Sequence, residues 1–147
     1  MIYEKAAMLP FCNIRKHIME EINMAQNPAQ LYGNSKIQTA TPAELTLMLY
    51  DGAIKFCNIA LVALEKGDLQ KANTNMIKAQ NIILEFIGTL DHKYKVAEDF
   101  ERVFDYIHRR LVEANIKKDP KILEEALGYI REMRDTWKEV MRLAHSS

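Results

Sequence analysis

Four segments of this chain carry apolar residues at three- and four-residue steps, the spacing of one face of an α-helix. The first opens at Thr41-Pro42-Ala43-Glu44. A capping threonine, a proline at the first helical position and a glutamate at the third satisfy orphan amides at a helix start reciprocally. This helix is predicted to run to about Glu65, where Lys66-Gly67 supplies a cation and a glycine able to turn left-handed. Asp68 then caps a second helix to about Leu90, with the stripe Leu69, Ala72, Met76, Ala79, Ile83, Ile87 and Leu90. After a polar break from Asp91 to Lys95, a third stripe runs through Val96, Phe100, Val103, Ile107, Leu111 and Ala114. It ends at Lys117-Lys118, two cations that complement the negative end of the helix dipole. Asp119-Pro120 starts a fourth helix, whose stripe is Leu123, Ala126, Leu127, Ile130, Met133, Trp137, Val140 and Met141. Strand alternation is missing. Helices at about 42–65, 68–90, 96–118 and 120–144, joined by short connections, predict an all-α fold: an antiparallel up-and-down four-helix bundle over 41–147.

Residues 1–40 read differently, as an N-terminal extension and arm. Asn13 to Ala25 has the pattern of an extra amphipathic helix, with Ile14, Ile18, Met19 and Ile22 on one side. Residues 27–41 contain Pro28, Gly33, Asn34 and Ser35 and read as irregular. The apolar groups within that arm, Leu31, Tyr32 and Ile37, are better placed against a surface groove than in a free tail.

The first bundle helix has more apolar surface than one core stripe needs. On a helical wheel Leu45, Met48, Leu49, Gly52, Phe56, Ile59 and Ala63 fall on one side, and Leu47, Tyr50, Ile54, Cys57, Leu61 and Leu64 on nearly the opposite side. Glu44, Asp51, Lys55 and Asn58 share a narrow polar sector between them. The apolar arc is about 240–260°, against roughly 100° for an ordinary amphipathic stripe. Either neighbouring helices bury the second side, or it forms a hydrophobic groove for a partner, covered in the free protein by the Leu31–Ile37 arm. Asp51-Gly52, a turn dipeptide in other settings, leaves the periodicity unbroken. Gly52 costs the helix about 1 kcal/mol relative to alanine, and its place on the core stripe suggests a close helix approach.

Composition narrows the function. Lysine plus arginine equals aspartate plus glutamate at 20 each, so no net basic field favours nucleic acid. Cys12 and Cys57 are 45 residues apart and lack metal or redox spacing, which fits a reducing cytoplasmic setting. No signal peptide is read, and the uncharged apolar runs fall short of the roughly 20 residues of a spanning helix, so no membrane insertion is expected. Di-iron bundles need Glu-x-x-His pairs, and the nearest match is a lone Asp105-Tyr106-Ile107-His108. No metal or cofactor is expected, and no nucleophile constellation or phosphate loop supports an enzyme. His108 keeps open a phosphotransfer bundle, and the surplus apolar surface keeps open a dimerising interaction module. Asn73, Gln80 and Arg134, within apolar stripes, read as hydrogen-bonded seam residues.

TATPAELTLMLYDGAIKF (39–56), KAQNIILE (78–85), Leu90-Asp91, FDYIHRRLVEAN (104–115) and MRDTW (133–137), preceded by an arm with a tyrosine, together resemble the FliS family of flagellar secretion chaperones. The resemblance covers about Gln30 to Val140 in order. It implies a cytoplasmic bundle that binds the disordered C-terminal segment of flagellin, prevents premature polymerisation and delivers the subunit to the flagellar type III export gate. Further flagellar regulators are implied as partners. The family tyrosine that covers part of the client groove matches Tyr32, with Ile37 as companion. Two departures stand out: Tyr94-Lys95 lies where the family commonly has glycines, and residues 1–23 precede its usual start, with Met24–Pro28 looking like a family N-terminus. The expected site is therefore Leu47, Tyr50, Ile54, Cys57 and Leu61, with Tyr32 and Ile37 displaced by a client that folds as it binds. On that reading Ile54→Asp weakens client binding and leaves the helical circular dichroism intact.

Overall fold

The computed structural model describes residues 40–146, with side chains described to residue 144. The expected arm and the helix at 13–25, including Tyr32 and Ile37, lie outside the described residues. Four helices follow: α1 Pro42–Glu65, α2 Leu69–Thr89, α3 Val96–Lys117 and α4 Pro120–Ser146. Packing runs α1 on α2, α2 on α3, α3 on α4 and α4 back on α1, an up-and-down ring whose diagonal pairs hardly touch. Among the described residues there is no strand.

Local chemistry sets the helix ends. Thr41 Oγ1 accepts from the Glu44 amide at 3.2 Å while Glu44 Oε2 accepts from the Thr41 amide at 3.3 Å, the reciprocal cap that the sequence predicts. Gly67 turns the chain at φ 76°, and Asp68 Oδ1 accepts from the Lys71 amide. Lys118 closes α3 in the left-handed region at φ 52°, where glycine is the usual choice. Its ammonium donates to the Asn115 carbonyl at 2.6 Å and to Asn115 Oδ1 at 2.9 Å, which satisfies groups at the helix end and offsets the strain. The α2–α3 turn is organised by Asp91, whose carbonyl and carboxylate accept from the amides of Tyr94 and Lys93. Neither Tyr94 nor Lys95 has positive φ, so this turn needs no glycine.

The core is one apolar cluster spanning all four helices. Tyr50, Phe86, Phe104 and Phe100 form an aromatic ladder from α1 through α2 to α3, with successive centroids 4.5, 5.2 and 6.1 Å apart. Trp137, buried on α4, donates through Nε1 to the Ala43 carbonyl at 3.0 Å. Two stripe assignments shift by a step. Leu69 and Val103 are exposed, while Ile82, Phe86, Ala97 and Phe104 are buried. A helix offers both an i+3 and an i+4 neighbour at every turn, and packing selects the residue whose angle faces the centre. Gly52 also differs from expectation: a Cβ there would meet only Ile82 Cδ1 at 3.5 Å, an ordinary contact, so no close approach demands glycine. By length and composition alone α1 could cross a membrane. Its packing between α2 and α4 accounts for that composition.

Candidate functional site

The second side of α1 is closed in the bundle. Cys57 is 0 %, Tyr50 2 % and Ile54 9 % exposed, and Leu47 and Leu61 are partly buried against the core. The two wheel clusters are the flanks of one wide buried arc, whose middle is filled by the small, fully buried Ala53 and Ala60. On the Gly52 and Phe56 flank α2 packs, with Ile82 beside Gly52 and Lys78 over the Phe56 ring, and Phe86 of α2 reaches across to stack on Tyr50. On the other lies α4, where Arg134 pairs with Asp51 at 3.2 Å and Trp137 reaches Ala43. Of the residues expected to line a groove, Tyr50, Ile54 and Cys57 are buried and Leu47 and Leu61 partly buried, while the arm expected to cover them lies outside the described residues. The polar sector of Glu44, Asp51, Lys55 and Asn58 faces out, together with Val62, which is 47 % exposed, and Glu65. Burial pushes the Cys57 thiol up to about 12 against the pull of Arg131, which leaves it a poor nucleophile at neutral pH. It likewise raises the Tyr50 phenol, whose hydroxyl has no hydrogen-bond partner among the described residues.

Exposed apolar surface lies instead on α2. Leu69, Ile77 and Leu84 are 54, 41 and 47 % exposed and share an arc of about 80° with Asn73, Gln80 and Ile87. The charged residues of α2 are Lys71, Lys78 and Glu85, seven apart and therefore on one side; Lys78 sits over the Phe56 ring of α1. The rest of the outer face, Gln70, Asn73, Thr74, Gln80, Asn81 and Gly88, is uncharged. The bordering edge of α3 adds Val112 and Ile116, the latter 77 % exposed. Asn115 Nδ2 donates to Asn73 Oδ1 at 2.8 Å and Gln80 reaches the Leu111 carbonyl at 3.5 Å, so both α2 amides act as seam residues, as expected. At the α2 C-terminal end the face meets a cleft of ≈ 490 Å³ lined by Ile87, Glu98, Glu101, Arg102 and Asp105. The shared face is thus apolar and amide-rich at one end and charged at the other.

Elsewhere the surface is charge-dense. Arg110 bridges Glu125 and Glu113, Lys117 pairs with Glu113, and Tyr106 donates to Glu125 at 2.7 Å. These contacts hold Glu125 and Glu113 below the usual carboxylate range. The exposed Tyr106–Tyr129 pair, edge to face at 5.6 Å, is bordered by this network. Depletion of charge marks the centre of protein interfaces, and among the described helices α2 alone presents it over a whole helix face. The seven-residue recurrence of Lys71, Lys78 and Glu85 was the available sequence signal. Assigning Leu69 and Ile87 to the core hid it. His108 lies partly buried on the α3 edge of the same face, where desolvation lowers its pKa against the opposing pull of Asp105.

A model of the flagellar protein FliS family matches residues 24–144. The chain belongs to the FliS family. It is 45 % identical over 117 residues to the flagellar secretion chaperone FliS of Bacillus subtilis, covering 80 % of this chain and 88 % of that one. To the protein of the same name from Salmonella typhimurium it is 32 % identical over 115 residues, covering 76 and 85 %. For that of Vibrio cholerae the figures are 25 % over 109 residues, covering 73 and 80 %. FliS is a family of chaperones, not of enzymes. Among the described residues no group of histidine, cysteine, aspartate and glutamate could hold a metal ion.

Proposed function

We propose that this FliS-family chain is a cytoplasmic flagellar secretion chaperone that binds the disordered C-terminal segment of flagellin, keeps it from polymerising early and hands it to the type III export gate. The observation that carries the reading is the charge-free, apolar outer face of α2 on an otherwise charge-studded bundle, in a chain whose relatives are named flagellar secretion chaperones. An amphipathic client helix lays its apolar side along Leu69, Ile77 and Leu84 and against Val112 and Ile116 of α3. Asn73, Gln80 and Asn81 meet its uncharged polar groups. Folding of the client on the surface costs about 2–5 kcal/mol, which moderates affinity and favours release at the gate. Tyr32 and Ile37 compete with the client for its surface. Leu47, Tyr50, Ile54, Cys57 and Leu61 become client contacts where the covering of this side of α1 opens; otherwise they act from inside the bundle.

Calorimetry with flagellin, with and without its C-terminal tail, tests the reading. Binding that needs the tail and fails on Ile77→Glu supports it. Binding that ignores either change sinks it. Label transfer to His108 from a phosphodonor would instead support a phosphotransfer bundle.

A further inference from the structure

We infer that the cleft between α1 and α2 is a second docking site, which takes an acidic amphipathic helix from a protein other than the client. On α1 the residues Lys55, Ile59, Val62 and Lys66 fall within about 60° of one another on the helical wheel. Asp51 and Asn58 turn away from them and meet Arg134 and Arg131 on the α4 side. From α2, Lys71 and Lys78 stand about two turns apart on the side that faces α1, and Lys78 lies over the Phe56 ring. Between the two helices opens a cleft of ≈ 540 Å³, floored by Ile59, Val62 and Ala63 and rimmed by Asn58, Lys66 and Lys71. Val62 is 47 % exposed and Ile59 only partly covered, so the floor has apolar surface left to bury.

Charge decides the occupant. Among the described residues Lys55, Lys66 and Lys71 enter none of the ion pairs, although acidic and basic residues are equal in number along the chain. The one carboxylate at the cleft, Asp68, is committed to the α2 cap, where it accepts from the Lys71 amide at 3.1 Å. Glu85, the next charge in the Lys71–Lys78 row, comes about two turns further on, beyond the apolar floor. An apolar strip with lysines along both walls complements a helix that carries apolar residues on one face and carboxylates on its flanks. Lys55 and Lys66 are eleven residues apart, about 16 Å, which sets the length of the occupant at about three turns. A bilayer fits worse, because the apolar floor lies in a concavity that a flat surface does not enter. Lys71 and Lys78 stand about 180° around α2 from Asn73 and Gln80, so the acidic helix and the client use opposite edges of this helix and bind together.

Fluorescence anisotropy of the full chain with a labelled synthetic peptide of about three to four turns, leucines at helical spacing flanked by glutamates, tests this. Saturable binding is expected that weakens as salt rises from about 0.05 to 0.5 M. Lys66→Glu with Lys71→Glu should weaken it on the order of 10-fold with unchanged circular dichroism, because both side chains are exposed. Val62→Asp should weaken it too, and the peptide with lysine in place of every glutamate should not bind. Ile77→Ala, on the client face, should leave peptide affinity unchanged. Binding that is indifferent to the peptide's charge, or that falls on Ile77→Ala and survives Lys66→Glu with Lys71→Glu, overturns the proposal. So does a chain that ignores the peptide and instead binds phosphatidylglycerol vesicles through the same lysines, since the partner is then a membrane. None of these results bears on the client, whose assignment stands or falls with flagellin binding to the Ile77 variants.

Discussion

Truncating the α2 face separates binding from stability. In Leu69→Ala, Ile77→Ala and Leu84→Ala the side chains removed are 54, 41 and 47 % exposed in the free bundle. Burying a whole leucine or isoleucine contributes about 1.5–3 kcal/mol, so each of these retains roughly half of that, about 0.6–1.5 kcal/mol, for a client to recover. One substitution should then raise Kd about 3- to 12-fold, and the three together about 30- to 1,700-fold. Measurement is calorimetric titration with a flagellin C-terminal peptide. Urea unfolding of the same variants is the companion, since alanine is a good helix former and the apolar area lost from the free fold is partial. An unchanged Kd for the triple variant, with an intact far-ultraviolet spectrum, would refute the assignment of the client to α2. A collapse of stability matching the loss of affinity would refute it too, by showing that these side chains serve the core.

Three further outcomes follow from the packing. Ile54→Asp places a carboxylate at a position only 9 % exposed and should cost at least about 3–5 kcal/mol, so the urea midpoint drops sharply, contrary to the expectation of intact helicity drawn from the wheel. Gly52→Ala should stabilise by about 0.5–1 kcal/mol, because the added Cβ makes ordinary contact with Ile82 and the helix loses its most flexible residue; a lowered urea midpoint would contradict this. Glu125, held below its usual 4.5 by hydrogen bonds from Tyr106 and Arg110, contributes stability that is full above that value and is lost as pH falls through the folded-state pKa. Glu125→Gln should therefore shrink the fall in urea midpoint between about pH 6 and pH 3, and an unaltered fall would count against the network.

Much of the fold was legible because helix ends announce themselves chemically. The Thr41–Glu44 cap, the Gly67 turn and the Asp68 cap are local devices, and each appears where its residues predict. The family, too, could be read from ordered blocks such as TPAEL and YIHRRLVEAN. The site was less legible, and the reason is angular. An apolar arc on α1 does not say whether it faces one neighbour and a ligand or two neighbours, because both cover the same residues. The small Ala53 and Ala60 at its middle were the clue to two neighbours, since they let α2 and α4 close over both flanks. On α2 the reverse held. Leu69 lies on the periodic stripe, yet it stands at the first helical position, where the bundle does not reach around it. Absence of charge, not presence of leucine, distinguishes that face.

Methyl and amide chemical-shift mapping of the full chain on titration with a flagellin C-terminal peptide tests the central claim most directly. The account predicts that the largest perturbations fall on Leu69, Ile77, Leu84, Val112 and Ile116, with Cys57 and Ala60 quiet in the interior. Perturbations centred on α1 and α4, or on the Tyr106–Tyr129 face, with α2 silent, would contradict it.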